Sequence, residues 1–369
     1  MPAPNTVNTN PPPNGNAKGP LESTWHICYA TDANYAFLAG ISICSICETN
    51  SDALGIHFHI LDNGITDEQK RKMTELVTRY ARDISFYPIE APMRELMTLG
   101  AKSWNNSYAT WARLFLGTLL PAYVKRILYL DSDTLVLRSL RELFSTSISA
   151  PLVCAAVKDC CQVLIGPQRQ EQVAYYNAGV LLFQLDRWRD TRCEERLLQT
   201  IRDTNAQLPC VDQGVLNATL AHSILSLPLA CNTFSFYPCI PWRWILCIYA
   251  LTPSRFYPEE EYNRACSAPT IVHMMGNIAG RPWESGNTNP FTKQFRHCKA
   301  LSPWADEPDW PHIQHWGSPL FRLQLALYRH APGSLYCAVT AIASHLRMKS
   351  LYRMLAKKGL QRYYPSRIP

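Results

Sequence analysis

An apolar strand that ends abruptly in two carboxylates constrains this chain more than any other feature. Arg126-Ile127-Leu128-Tyr129-Leu130 runs straight into Asp131-Ser132-Asp133-Thr134. At the C-terminal end of a strand in an α/β sheet the backbone turns, and side chains project into the crevice where ligands bind. Two acidic oxygens there make a seat for a hard divalent cation that keeps positions open for phosphate. The pattern points to an enzyme that handles a nucleotide diphosphate.

The flanking sequence supplies the rest of such a sheet. Residues 25–30 read as a first strand, followed by the loop Thr31-Asp32-Ala33-Asn34 and a helix over about 35–48. Residues 56–61 alternate apolar residues with His, as a strand does. Thr66-Asp67-Glu68-Gln69 is a capping-box start for a helix to about Ala81. Residues 84–89 form another short strand, and 108–119 have helical spacing. This alternation predicts a mostly parallel sheet covered on both faces. Further on, 152–157 and 178–185 read as strands, 188–202 and 211–220 as helices, and 270–274 as a short strand reaching His273. Residues 233–265, rich in Pro, Trp and Tyr, read as irregular, either a binding wall or a packed loop. No internal repeat is present.

Composition sets the bounds. A chain of 369 residues with 47% hydrophobic and 18% charged side chains can bury a large core, as one domain or a domain with additions. Residues 1–22, rich in Pro, Asn and Gly, cannot offset chain entropy and are expected to be disordered. They lack the apolar h-region of a secretory signal, and no window reaches the roughly 18 apolar residues of a membrane span. Without an export signal, the 14 cysteines read as reduced thiols of a cytoplasmic enzyme. Cys44-x-x-Cys47 lies in an apolar helical stretch and reads as core packing, and Cys160-Cys161 is an equally weak redox or metal signal.

The net charge of +7 is concentrated at one end. Residues 318–369 hold nine Lys/Arg and no acid, leaving 27 basic against 29 acidic side chains in the remainder. In that tail, basic and apolar-aromatic residues mix at helical spacing, which suits interfacial helices on an anionic leaflet. The expected partner is an anionic membrane surface rather than nucleic acid, with the enzyme peripheral on the inner face of the cytoplasmic membrane.

Six segments in order carry a family resemblance. They are Ala30-Thr31-Asp32-Ala33-Asn34-Tyr35, then Tyr108-Ala109-Thr110-Trp111-Ala112-Arg113-Leu114 ahead of Leu128 to Asp133. Tyr176-Asn177-Ala178-Gly179-Val180 and Asp212-Gln213-Gly214 follow, and His273-Met274-Met275-Gly276 with Arg281-Pro282-Trp283 closes the set. Together they resemble glycosyltransferase family 8, and within it the bacterial lipopolysaccharide galactosyl- and glucosyltransferases. The likeness covers about residues 24–300.

The resemblance implies a GT-A fold, Rossmann-like, with a mixed, mostly parallel central sheet. It divides the chain into a GT-A domain over 23–300 and a helical, basic, aromatic tail over 301–369. It implies a UDP-galactose or UDP-glucose donor, a Mn²⁺ ion with Mg²⁺ as the alternative, retention of configuration, and a lipid-linked glycan acceptor. Asp131, Asp133 and His273 are then the metal ligands. Ala30, Asp32, Asn34, Arg113, Ser132, Asn177, Gly276 and Arg281 fall in the donor-binding positions, with Arg113 expected either to touch the donor sugar or to orient the carboxylates. Asp212 is expected on donor-sugar hydroxyls, Gln213 beside the anomeric carbon, and Arg281 on the phosphates.

Two departures from the family pattern stand out. Its Lys-Pro-Trp is Arg281-Pro282-Trp283 here, after a longer loop from Gly276, and no obvious carboxylate nucleophile is present. Arg can meet a diphosphate bidentately. Asp159 reads either as an acceptor-side carboxylate or as a solvated loop residue. Two rival functions fit parts of the pattern. Asp131-Ser132-Asp133-Thr134 nearly matches the first motif of haloacid-dehalogenase-like phosphatases, but that class also needs a downstream Lys and an acidic pair after a later strand; no convincing pair is present, and the motif sits unusually far into the chain. A non-catalytic, membrane-docked carbohydrate-binding protein would not need both aspartates, His273 and Gln213.

Overall fold

The computed structural model describes residues 24–103, 107–161, 174–276, 278–311 and 319–359; segment 1–22 lies outside the described residues. The chain starts with β1 (Trp25–Thr31), α1 (Ala36–Thr49), β2 (Ile56–Asp62), α2 (Asp67–Arg79) and β3 (Asp83–Pro88). Helix α3 (Glu90–Thr98), a 3-10 helix (Ala109–Phe115) and the short α4 (Leu116–Leu119) lead back to β4 (Arg126–Leu130). Next come β5 (Thr134–Val136), α5 (Arg141–Phe144), β6 (Cys154–Lys158), β7 (Tyr176–Gln184), α6 (Leu185–Asp190), α7 (Cys193–Asp203), α8 (Val211–Leu220) and β8 (Ile224–Ser226). The chain continues through β9 (Thr233–Phe234), α9 (Trp242–Ile248), α10 (Glu259–Ser267), β10 (Ile271–His273) and α11 (Thr292–Leu301) to α12 (Pro319–His330) and α13 (Gly333–Lys357).

The main sheet has the order β3-β2-β1-β4-β7-β6-β8. Strands β3, β2, β1 and β4 run parallel to one another, and β6 is parallel to β8. Strand β7 is inserted antiparallel between β4 and β6. The sheet is therefore mixed and mostly parallel. Alternate residues feed two cores, with Ile27, Tyr29, Phe58 and Ile60 on one face and Cys28, Ala30 and Leu61 on the other. Both faces being covered there explains why β4 and β7 read as nearly continuous apolar runs, while the edge strand β3 stays half-exposed.

Helix α1 is buried at every residue from Ala36 to Cys47, as befits a helix apolar all round. A Cβ on Gly40 would lie 2.2 Å from Trp304 Cζ3, so glycine lets the indole seat on the helix. Cys44 and Cys47 belong to this buried set, and burial pushes their thiols up to about 11 and about 12. Thiols held protonated are inert, which fits core packing. Helix α2 carries the expected capping box, with Gln69 N–H donating to Thr66 Oγ1 and Thr66 N–H to Gln69 Oε1.

Three expectations change. The helix over 108–119 is mostly 3-10, a tighter winding that sets Thr110 and Arg113 one turn apart, and Arg113 Nε donates to Thr110 O at 2.8 Å. The single helix over 188–202 is two, α6 and α7, broken where Arg192 adopts a left-handed φ of 49°. The irregular stretch 233–265 contains α9 and α10, which begin just after Pro241 and Pro258. Proline fits the first turn of a helix, where no N–H is needed. The packed reading of this stretch holds: Tyr237, Phe256 and Tyr262 are buried, and the Tyr262 hydroxyl lies 2.8 Å from the carbonyls of both Tyr237 and Ile240.

Two features of the topology assemble the rim of the sheet. Because β7 opposes β4, the start of β7 meets the end of β4, and Asp131 N–H donates to Gly179 O at 2.8 Å. A second sheet, ordered β5-β10-β9, pairs His273 with Thr134. Met274 N–H then donates to Asp133 O at 2.8 Å, bringing His273 beside the carboxylates.

Candidate active site

Asp131, Asp133 and His273 converge as expected, each offering a ligand atom within 4.8 Å of the others. His273 Nε2 lies 3.2 Å from Asp133 Oδ1 and 3.8 Å from Asp131 Oδ2. Burial alone would lower the His273 pKa, but the Asp133 and Asp131 carboxylates outweigh it and hold it above its ordinary value. Burial would raise Asp133, but His273 and Arg281 outweigh that and hold it low. Glycine at 179 makes the closeness possible. A Cβ there would sit 2.3 Å from His273 Cε1 and 2.9 Å from Asp131 Oδ2.

The tautomer of His273 follows from a backbone donor. Gly179 N–H must donate, so Asn177 Oδ1, 2.9 Å away, is its acceptor. Asn232 Nδ2 donates to that same oxygen at 2.8 Å. Asn232 Oδ1 therefore faces His273 Nδ1 at 3.2 Å and takes its proton. Nε2 is left for the carboxylates, the arrangement in which a partner on the far nitrogen fixes a metal-binding imidazole. Two carboxylates and an imidazole so oriented are a donor set that fits a divalent cation.

Arg113 braces the other side of Asp131. Its side chain is 3% exposed, with Nη2 2.7 Å from Asp131 Oδ1 and Nε 3.0 Å from Asp212 Oδ2. Nη1 donates to Ala178 O, and the guanidinium stacks 4.6 Å from the Tyr129 ring centroid. This holds Asp131 Oδ1 and leaves Oδ2 facing His273. Asp212 is buried in the first turn of α8. Burial pushes its carboxyl up to about 6, against the pull of Arg113 and with the help of Asp131.

Gln213 is oriented by the same logic. Ala178 N–H donates to Gln213 Oε1 at 3.1 Å, as does Asn177 Nδ2. Gln213 Nε2 must then be the donor to Asp159 Oδ2 at 3.2 Å. Asp159 is 4% exposed and also accepts from Asn177 Nδ2 at 3.0 Å, which corrects the solvated-loop alternative. Just before this turn Cys210 and Val211 take left-handed φ values of 58° and 43°. Non-glycine residues in that region cost energy and gather at functional sites.

The remaining donor positions line the same rim. Gly276 sits under Arg281, whose Nη2 would be 3.3 Å from a Cβ there. Arg281 also interacts with the Tyr35 hydroxyl. Ser132 is buried with no hydrogen-bond partner for Oγ among the described residues. At the end of β1, Ala30 is buried, and Asp32 Oδ1 accepts from the N–H groups of Asn34 and Tyr35 at 2.9 and 3.1 Å. Asn34 is exposed and borders a cavity of about 570 Å³. Sequence reasoning missed Asn232, which nothing in local spacing marks, and gave no role to Tyr35, although it closes the first family segment.

Comparison with known proteins gives the chain its kinship and its fold. The chain is 25% identical to general stress protein A of Bacillus subtilis, over 76% of this chain and 94% of that protein. It is 26% identical to a lipopolysaccharide 1,2-glucosyltransferase of Escherichia coli K12, over 76% and 79%. The crystal structure of the galactosyltransferase LgtC with donor and acceptor sugar analogs superposes with a TM-score of 0.62 at 22% identity, over 79% of this chain and 98% of that one. The fold is thus GT-A, with a mixed, mostly parallel central sheet and a helical C-terminal region. The profile described as "Glycosyl transferase family 8" matches residues 26–286, which include every converging residue above and exclude the phosphatase alternative. A match over most of the chain decides its kinship: this protein belongs to glycosyltransferase family 8.

Proposed function

We propose that this glycosyltransferase moves a hexose, galactose or glucose, from a UDP-sugar to a lipid-linked glycan such as lipopolysaccharide core, with retention of configuration. The observation that carries the reading is the convergence of Asp131, Asp133 and His273 beside the buried Arg113–Asp212 pair and the clamped Gln213 amide. The named glucosyl- and galactosyltransferase relatives support the sugar class.

Asp131 Oδ2, Asp133 and His273 Nε2 would hold Mn²⁺, with Mg²⁺ the alternative. Such an ion supplies Lewis-acid neutralisation of the charge that grows on the diphosphate. Arg281, steadied by Tyr35, adds a cation for the phosphates, and Gly276 gives them a close backbone approach. Ser132 Oγ, Asn177, Asp32 and Asn34 serve the nucleotide and sugar, and Asp212 the sugar hydroxyls. A glutamine amide is a poor nucleophile beside a carboxylate, so the reading is same-face attack. The bond from the anomeric carbon to the UDP oxygen breaks, the acceptor oxygen bonds that carbon, and its proton goes to the departing phosphate. Positive charge at the carbon is met by the Gln213 amide and by the Asp159 carboxylate behind it.

The same reading docks the C-terminal tail on an anionic membrane. Leu323, Ile342, Leu346 and Met354 are exposed large apolar side chains, interspersed with exposed Arg322, Arg347, Arg353 and Lys357. No helix of the described residues is long and apolar enough to cross a membrane.

The test is UDP release by the full chain from UDP-galactose, UDP-glucose and UDP-N-acetylglucosamine, with Mn²⁺ and then EDTA. Metal-dependent release from one hexose donor, lost in Asp131→Ala/Asp133→Ala, supports the proposal. Absence of both donor turnover and donor binding refutes it.

A further inference from the structure

The opposite end of the sheet carries a second group of metal-type donors. His26 and His57 are register partners near the starts of β1 and β2, and His59 lies on the same face of β2 one pleat further on. Through the register, His26 lies level with Ile127 and His59 with Tyr129, so the cluster sits roughly 7–13 Å short of Asp131 along the strand direction. Each of the three histidines offers a ring nitrogen within 4.8 Å of the others. His26 Nδ1 and His59 Nε2 are 2.9 Å apart, and the rings of His57 and His59 stack at 4.3 Å between centroids.

The outer nitrogens of His57 and His59 are already engaged. His59 Nδ1 meets the Tyr87 hydroxyl at 3.0 Å, and His57 Nε2 meets Ser85 Oγ at 2.9 Å. Hydroxyls that take a ring N–H on the far side leave the other lone pair facing inward, which is the second layer that metal-bound imidazoles carry. Two imidazole lone pairs facing each other repel unless a proton or a cation lies between them. A tetrahedral zinc with nitrogens at 2.0–2.1 Å spaces two of them by about 3.3 Å, so a shift of a few tenths of an ångström would admit the ion between His26 and His59.

We propose that His26, His57 and His59 form a three-histidine Zn²⁺ site that ties β1 to β2, independent of glycosyl transfer. All-imidazole ligation suits zinc. His59 is fully buried, while His26 and His57 are half-buried, which opens a fourth position to water. Asp83, the register partner of His57 on β3, adds a negative charge beside the cation. Burial lowers the pKa of His26 and pushes His59 down to about 3, so both rings are neutral and free to coordinate near pH 7.

The test uses the full chain with the catalytic cluster disabled by Asp131→Asn/Asp133→Asn, stripped with EDTA and titrated with Zn²⁺. One zinc is expected per chain, with a rise in melting temperature and, on Co²⁺ substitution, the visible bands of a four-coordinate ion. His57→Gln and His26→Gln in that background should bind zinc about tenfold or more weakly and lose the melting shift. Their metal-free melts check the fold. In the otherwise native chain, His57→Gln should leave UDP release unchanged. Zinc stoichiometry and melting shift that are the same with and without His57 overturn the proposal.

Discussion

Replacing Arg113 by methionine is the sharpest test of how the site is held together. Methionine fills similar volume but leaves Asp212 (5% exposed) and Asp131 (23% exposed) without their shared cation. Removing one partner of a buried ion pair costs about 3–5 kcal/mol, because the other charge stays desolvated. The figure rests mainly on Asp212, since water reaches Asp131 in part. For a domain of this size each kcal/mol moves the melting temperature by roughly 2–4 °C, so Arg113→Met should melt roughly 10 °C below the parent. The deficit should also depend on pH. The Asp212 carboxyl sits at about 6, above the ~3.9 of an unfolded chain. A raised carboxylate pKa means the folded state binds the proton more tightly, so its contribution to stability falls as pH rises through that window. Without Arg113 the pKa rises further, and the deficit should be larger at pH 8 than at pH 5. Adding Asp212→Asn removes the stranded charge and should return about 1–3 kcal/mol as coupling in a double-mutant cycle. Thermal and urea melts of the four proteins read all of this. Arg113→Met melting within about 2 °C of the parent, or no rescue by Asp212→Asn, would refute the reasoning.

Three further outcomes follow from the geometry. Asn232→Ala removes the acceptor of His273 Nδ1 and should weaken Mn²⁺ binding about 10- to 100-fold by calorimetry. Gly179→Ala drives a methyl to within 2.3 Å of the His273 ring and should lower UDP release about 100-fold through misplacement; unchanged release would mean the rim is softer than drawn. In EDTA, the raised His273 pKa contributes stability that is full below about 6.5 and lost as pH rises through the folded value. Urea midpoints should therefore fall from pH 6 to 8, and His273→Gln should flatten that slope.

Much of this site was legible because it is built at strand ends. Arg126–Leu130 had to be a buried strand, so Asp131 and Asp133 had to sit on its rim. The capping box of α2 and the burial of Cys44 and Cys47 were equally local facts. What failed was what depends on partners. The run 108–119 has α spacing, but Arg113 is drawn to Thr110 O, Ala178 O and Asp131, and the 3-10 winding goes with those bonds. The break at Arg192 has no glycine to announce it. Prolines 241 and 258 suggested irregular chain, whereas they introduce helices.

Asn232 shows why the last shell of a site is hidden from sequence. Asparagine before a short strand is unremarkable chemistry, and its role exists only because β9 runs beside β10 and brings it under His273. The same holds for Asp159, whose sequence reading stood between an acceptor-side carboxylate and a solvated loop residue until β6 and the antiparallel β7 placed it against Asn177 and Gln213. In both cases a chain of hydrogen bonds begins at a backbone N–H, of Gly179 or Ala178, whose donor role cannot be reversed. From that end each amide can point only one way, and His273 and Gln213 inherit their orientation. The direction of β7 is thus what turns two ordinary side-chain amides into the part of the site that aims the His273 imidazole and the Gln213 side chain.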